Sequence, residues 1–213
     1  MLKKKDIKQV LELLGKEYPD AGPALHFTTS FELLIATILS AQCTDVRVNI
    51  VTDKLFVDYN TPEAILELGQ PKLLDYIKTC GLANSKSKNI IATCSILINE
   101  YEGQVPDTIE ELMKLPGVGR KTANVVVSNA FGQNAIAVDT HVFRVSNRIG
   151  LAESKDVLNT EMDLMKNIPE EDWSVAHHWL ILHGRKVCKA RKPLCEDCVV
   201  KGLCLYYKEL ICD

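Results

Sequence analysis

Four cysteines crowd into one short stretch near the end of this 213-residue chain: Cys188, Cys195, Cys198 and Cys204, within 17 residues and spaced C-x6-C-x2-C-x5-C. Each thiolate lends one soft sulfur ligand, so a loop carrying four is suited to close around a metal centre. Two centres fit the donor set: a zinc ion with four cysteine ligands, or a four-iron, four-sulfur cluster. Zinc sites usually pair two C-x2-C knuckles, and only Cys195 and Cys198 make one here, which tilts the reading toward iron–sulfur. Disulfides are a poor account. The N-terminus, MLKKKDIKQV, has the charges of an export signal without the apolar stretch behind them, so a cytoplasmic chain is expected. The longest apolar run, Leu33 to Leu39, is too short to span a bilayer, and no membrane partner is expected. Cys43, Cys80, Cys94 and Cys212 stand apart and read as small buried or surface thiols.

The rest of the chain reads as helix. Ile7, Val10, Leu11 and Leu14 follow helical spacing, as do Ala123, Val126, Val127 and Ala130. Start signals recur: Ser30 before Phe31 to Gln42, Thr61-Pro62 before a helix through Leu68, and Asp107 or Thr108 before Ile109, Leu112 and Met113. Asn84 or Ser85 opens a long stretch through Tyr101, and Trp173 to Leu182 reads as a late helix. With 46% apolar residues but only 6% aromatic, the core is mostly aliphatic, and 11 glycines and 8 prolines are too few for a turn-rich all-β fold. Breaks at Tyr18 to Pro23 and Phe131 to Asn134 mark domain joints around a central block.

The net charge of −3 by itself argues against a nucleic-acid partner. The average conceals five basic residues without an acid, Arg185, Lys186, Lys189, Arg191 and Lys192, which form either a solvated face or a patch for a polyanion. Between two helical segments lies Leu115-Pro116-Gly117-Val118-Gly119, with Pro116 expected to end the first helix and the second to begin near Gly119. The glycines admit close approach, and the outward N–H groups and dipole at a helix start suit one phosphate. A plain helix connection fits the same five residues. Arg120 and Lys121 follow directly. A helix dipole, a neighbouring arginine and partial burial all favour a neutral, nucleophilic lysine amine, although a lysine there is ordinarily solvated. Asp139, in Val138-Asp139-Thr140-His141-Val142, reads first as a helix N-cap; facing a cleft, the same carboxylate stabilises a cation or takes a proton.

Taken together, these pieces resemble the endonuclease III family of DNA repair glycosylases. The matching segments are Leu39-Ser40-Ala41-Gln42 with Thr44-Asp45, Gly81-Leu82 with Asn84-Ser85-Lys86, Leu115 to Val126, Val138 to Val145, His177 to Arg185 and the four cysteines. The resemblance implies an all-α, two-domain helix–hairpin–helix fold with a DNA groove between the domains. Residues 22–134 would form a six-helix barrel, and 1–21 with 135–213 a discontinuous domain around one four-iron, four-sulfur cluster on Cys188, Cys195, Cys198 and Cys204. It implies release of an oxidised pyrimidine from double-stranded DNA, then cleavage at the abasic site, by a bacterial-type, nucleoid-associated monomer. Lys121 would attack the sugar and Asp139 support the developing charge. Gln42 and Leu82 would fill or wedge the duplex, and His141 touch the distorted strand. Leu115, Gly117, Val118, Gly119, Arg120 and the basic run would hold phosphates. Carbonyls of Met113, Leu115 and Val118 would bind Na+ or K+. Cys43 departs from the Ala or Thr expected there and reads as a small apolar stand-in. His177 and His178 are expected to pack or hydrogen-bond between helices. A mismatch-specific glycosylase on the same scaffold lacks a lysine at the position of Lys121, and a non-enzymatic binding module with a zinc knuckle leaves Lys121 and Asp139 without a role.

Overall fold

The computed structural model describes residues 1–211; Cys212 lies outside the described residues. Among them the helices run α1 Lys4–Glu17, α2 Ser30–Ser40, α3 Asp45–Leu55, α4 Pro62–Leu68, α5 Gln70–Ile77, α6 Ala83–Tyr101, α7 Ile109–Leu112, α8 Arg120–Phe131, α9 Thr140–Ile149, α10 Val157–Asn167, α11 Trp173–Lys186 and α12 Leu205–Leu210, with no strand. No helix among these residues is long and apolar enough to cross a membrane. The chain divides into two compact units, Met1–Gly22 with Asn134–Asp213, and Pro23–Gln133.

The Pro23–Gln133 unit is organised by α2. Every residue from Phe31 to Leu39 is buried, so the helix is enclosed all round rather than amphipathic, and α3, α6 and α8 pack on it. Its polar residues are satisfied: Thr37 Oγ1 donates to the Leu33 carbonyl at 2.7 Å, and Glu32 Oε2 accepts from the Thr28 N–H and hydroxyl at 2.6 and 2.7 Å. The cap is Thr29, not Ser30, with Thr29 Oγ1 accepting the Glu32 N–H at 3.1 Å. The helix also stops at Ser40, short of the Gln42 expected from the sequence. The physical reason is Lys86, 4% exposed, whose ammonium donates to the carbonyls of Leu39 at 2.8 Å and Ala41 at 2.6 Å and so closes the helix end. Gln42 then turns into the left-handed region at φ 53°.

Two further boundaries differ from the sequence reading. Helix α6 begins at Ala83, ahead of Asn84 and Ser85, with left-handed Leu82 (φ 61°) at its cap. Helix α7 is a single turn capped by Thr108 and ends at Leu112, so Pro116 lies in the following turn rather than at the helix end.

In the other unit α9 is central, packed against α10, α11 and α12, while α1 lies on α11. Ile7, Val10, Leu11 and Leu14 of α1 join Val142, Val145 and Ile149 of α9 and Ala176 and Leu180 of α11 in one aliphatic core. Gly184 permits the closest α9–α11 approach: a Cβ there would lie 3.0 Å from Val145 and 3.1 Å from His141. Helix α11 runs one turn past the expected Leu182, to Lys186.

Candidate active site and iron–sulfur loop

The hairpin before α8 is a tight turn in which the Val118 N–H donates to the Leu115 carbonyl at 3.1 Å and Thr93 Oγ1 donates to the Pro116 carbonyl at 3.0 Å. Gly117 sits at φ 82°, and a Cβ there would stand 2.9 Å from the Asn89 amide nitrogen. Gly119 is extended (φ −95°), so its conformation does not require glycine; what it offers is open space, with nothing within 4 Å of a Cβ. The N–H groups of Gly117 and Gly119 take no partner among the described residues. Leu115 and Val118 have buried side chains, leaving only their backbone groups for ligands; Met113 is exposed. Helix α8 begins without a side-chain cap, and Arg120 and Lys121 occupy its first turn, both exposed. The partial burial expected of Lys121 is therefore absent from the free chain, and desolvation of its amine requires a bound substrate.

In the same unit Gln42 and Leu82 are exposed, Leu82 at 57%, so Leu82 is not a core residue. Both are non-glycine residues in the left-handed region, a backbone state that clusters at ligand clamps. Their strands of loop are in contact: a Cβ on Gly81 would lie 2.7 Å from the Gln42 carbonyl oxygen. Cys43, Cys80 and Cys94 lie in the Pro23–Gln133 unit, apart from the four clustered cysteines; Cys43 is half-buried and the other two are buried, as small thiols are expected to be.

In the first unit Asp139 caps α9, with Oδ1 accepting the N–H groups of His141 and Val142, both at 2.8 Å. Its Oδ2 takes no hydrogen bond among the described residues. His141 Nδ1 lies 3.2 Å from the Arg144 guanidinium. Arg144 also donates to the carbonyls of Gly184 at 3.0 Å and Cys188 at 3.1 Å, and Arg148, one turn on, donates to those of Lys189 at 2.8 Å and Ala190 at 3.2 Å. These two arginines, which the sequence reading did not single out, pin the loop by its backbone while Arg185, Lys186, Lys189, Arg191 and Lys192 remain exposed. Their i, i+4 spacing on a helix was the available signal. His177 Nδ1–H donates to the Ala137 carbonyl, 2.7 Å away, and the ring meets His178 edge-on.

Cys188, Cys195, Cys198 and Cys204 all line one cavity, walled by Ile149, Val187, Leu194, Tyr206 and Tyr207. Burial pushes the Cys198 thiol up to about 11, with the other three cysteines adding to it, and burial raises Cys195 and Cys204 as well. Four thiolates in such a cavity need a cationic centre to coexist. Backbone N–H groups of Val200 and of Tyr206 and Tyr207 support the Cys198 and Cys204 sulfurs. Among the described residues no three His, Cys, Asp or Glu side chains stand close enough to hold a single metal ion, whereas all four cysteines line the same cavity, the arrangement that a centre of several atoms needs. His183, buried, has its pKa lowered to about 4 by that burial and is neutral; Nδ1 lies 3.0 Å from the Tyr18 hydroxyl and Nε2 3.4 Å from Cys198 Sγ. With the hydroxyl donating to Nδ1, Nε2–H donates to the sulfur, a bond that orients a ligand and tempers its charge.

Comparison with known proteins gives this geometry its context. Residues 35–170 match the family described as HhH-GPD superfamily base excision DNA repair protein, and residues 188–204, bounded by the first and last cysteines of the cluster, match the iron–sulfur binding domain of endonuclease III. Endonuclease III of Rickettsia conorii is 52% identical over 96% of this chain and 97% of its own length, and that of Escherichia coli K12 is 52% identical over 95% and 96%. A trapped endonuclease III–DNA covalent intermediate superposes with a TM-score of 0.93 at 50% identity, covering 99% of this chain and 100% of that one. The chain belongs to the endonuclease III family of HhH-GPD base excision DNA repair proteins, with an iron–sulfur binding domain at residues 188–204.

Proposed function

We propose that this glycosylase and abasic-site lyase releases oxidised pyrimidines of the thymine glycol type from double-stranded DNA, with Lys121 as its nucleophile. The observation that carries the reading is an exposed lysine in the first turn of an uncapped helix, directly after a hairpin with open backbone N–H groups. Residues 22–134 serve as the six-helix barrel carrying that hairpin, and 1–21 with 135–213 as the cluster domain. The enzyme works as a monomer in the cytoplasm, on nucleoid DNA.

The sugar C1′ of a stacked nucleotide is hidden, so the lesion leaves the stack. Gln42 and Leu82 occupy the space or wedge the opposite strand, and His141 meets the distorted backbone. Phosphates rest on the N–H groups of Gly117 and Gly119, on Arg120 and on the basic residues 185–192, with a monovalent cation on carbonyls of Met113, Leu115 and Val118. The neutral Lys121 amine attacks C1′ while the glycosidic bond breaks and its electron pair leaves with the base. Asp139 offsets the developing positive charge, as a carboxylate does in glycoside hydrolysis, and receives the amine proton. Ring opening gives a Schiff base on Lys121 Nζ. That iminium acidifies the C2′ proton, whose loss expels the 3′ phosphate. A water nucleophile leaves no iminium, so the lysine makes the enzyme a lyase.

Cys188, Cys195, Cys198 and Cys204 would hold a four-iron, four-sulfur cluster, which when bound supplies a fixed cationic core that the four sulfurs share. Base removal and elimination need no electron transfer. Arg144 and Arg148 hold the basic segment by its carbonyls. The test is borohydride trapping on duplexes carrying thymine glycol, an abasic site or no damage. Adducts on the first two alone are expected. An adduct on the abasic duplex only would overturn the lesion class, and none on either would overturn the nucleophile.

A further inference from the structure

Two positions in the Pro23–Gln133 unit break local rules in the same way. A left-handed residue just past a helix end is ordinarily glycine, and the residue before a helix start is ordinarily a small polar cap in extended backbone. Here Gln42 follows the end of α2 at φ 53°, and Leu82 precedes α6 at φ 61° without a cap bond from its side chain. Both side chains are exposed, so core packing does not hold either conformation. Lys86 touches both ends. Its backbone N–H donates to the Leu82 carbonyl at 3.0 Å, and its ammonium reaches across to the carbonyls of Leu39 at 2.8 Å and Ala41 at 2.6 Å. We propose that Lys86 is a positioning residue, whose buried ammonium sets the separation of Gln42 and Leu82 and so how well the enzyme opens a paired duplex. This rests on the reading of Gln42 and Leu82 as the residues that fill or wedge the DNA.

An ordinary cap does not need this lysine. A glycine after the helix, or a cation in its own last turn, satisfies end carbonyls at little cost. Burying an ammonium is costly, and no carboxylate pairs with Lys86 among the described residues. Its compensation is two carbonyls and the negative end of the α2 dipole. Neighbouring carbonyls are met locally: that of Thr37 accepts the Ser40 hydroxyl at 2.8 Å, and that of Ser40 accepts the Cys43 N–H at 3.1 Å. Lys86 thus takes the carbonyl immediately before Gln42 and ties it to the helix that starts after Leu82. Gly81 fixes the other side, because a Cβ there would lie 2.7 Å from the Gln42 carbonyl oxygen. The peptide groups before and after Gln42 are both held against the α6 end.

Extruding a nucleotide leaves a slot of fixed height in the base stack, so two residues that enter it need a set spacing. The demand is greatest when the lesion is paired and least when nothing faces it. A misplaced wedge therefore costs rate on a paired substrate and little on an unpaired one, whereas a damaged fold costs both.

The experiment compares full-length, cluster-loaded wild type with Lys86→Met, which fills the same space without the two donors. Amide hydrogen exchange on the free protein should be about tenfold faster at residues 40–43 and 81–84 and unchanged at 115–119. That readout needs no DNA, so it is decided whether or not the proposed function holds. Single-turnover base release is then measured on thymine glycol duplexes, fully paired or with an abasic analogue opposite the lesion. The ratio of paired to unpaired rates should fall about tenfold in Lys86→Met. Should Lys86→Met not fold, Gly81→Ala prises the same loops apart with Lys86 in place, and the same fall in ratio is expected. Unchanged exchange at 40–43 overturns the positioning role. So does an unchanged ratio in a variant whose exchange has risen, provided that Leu82→Ala lowers it. An unchanged ratio in Leu82→Ala overturns the wedge reading instead, and absence of base release by the wild type from either duplex overturns the function proposed above.

Discussion

Two consecutive helices begin in opposite ways. Helix α9 is closed by Asp139, whose Oδ1 satisfies two first-turn N–H groups at 2.8 Å. Such a cap contributes about 1 kcal/mol to stability. Helix α8 opens on Gly119 with no side-chain cap, and places Arg120 and Lys121 where its dipole disfavours cations, at a cost of about 0.3–1 kcal/mol each. At α9 function uses a group the fold already needs, and only Oδ2 is left over for a ligand. At α8 the fold tolerates an arrangement that a neighbouring anion would favour. Stability and activity should therefore separate cleanly at α8 and be partly coupled at α9.

The largest effect is expected at α8. Lys121→Gln should abolish the borohydride adduct and slow strand cleavage on the order of a thousandfold or more, as loss of an essential nucleophile does, while the urea midpoint holds or rises slightly. A lower midpoint together with lost cleavage would break the contrast. At α9 two substitutions sharpen it. Asp139→Asn keeps a capping oxygen, so stability should change by no more than about 0.5 kcal/mol while base release falls about a hundredfold. Asp139→Ala should add a loss of about 1 kcal/mol. Single-turnover assays on a base-damage duplex and on a preformed abasic site, with unfolding curves, separate the two; equal loss on both substrates, tracking stability, would leave Asp139 a cap only.

What could be read from the sequence was local. The cap at Asp139, the hairpin and the four cysteines are each defined by neighbours along the chain, and each stands in the structure with the local geometry its spacing implies. What escaped depends on contacts far apart in sequence. The end of α2 at Ser40 is fixed by Lys86, 45 residues from the Ala41 carbonyl it binds. Arg144 and Arg148 look like a solvated stripe until the cysteine loop folds onto α9, and His183 looks like a packing residue until Cys198 arrives at 3.4 Å. Pattern gives which face a residue occupies, not what will be opposite it.

The basic loop extends the comparison to a third kind of anion site, one built from side chains rather than from a helix end. Lys189→Glu with Arg191→Glu should weaken binding to damaged and undamaged duplexes alike and lower the salt slope by about 2, close to 0.9 for each phosphate contact. Titrations at several salt concentrations check this; loss confined to damaged DNA would mean the segment reads the lesion.

The smallest effects come from the two hairpin glycines, and they test whether the open start of α8 exists for a ligand. Gly117→Ala must hold alanine at φ 82° with its Cβ 2.9 Å from Asn89, so it should lower stability by about 1–2 kcal/mol. Gly119 is extended and its Cβ would meet nothing within 4 Å. Alanine there stiffens the unfolded chain but is a poorer N-cap, and these offset, leaving stability within about 0.5 kcal/mol. Its methyl group nevertheless fills the approach to the N–H groups, so duplex affinity should fall by roughly threefold to tenfold, read by fluorescence anisotropy. If Gly119→Ala binds DNA as well as the wild type, no phosphate reaches that backbone, and the cations of α8 need another explanation.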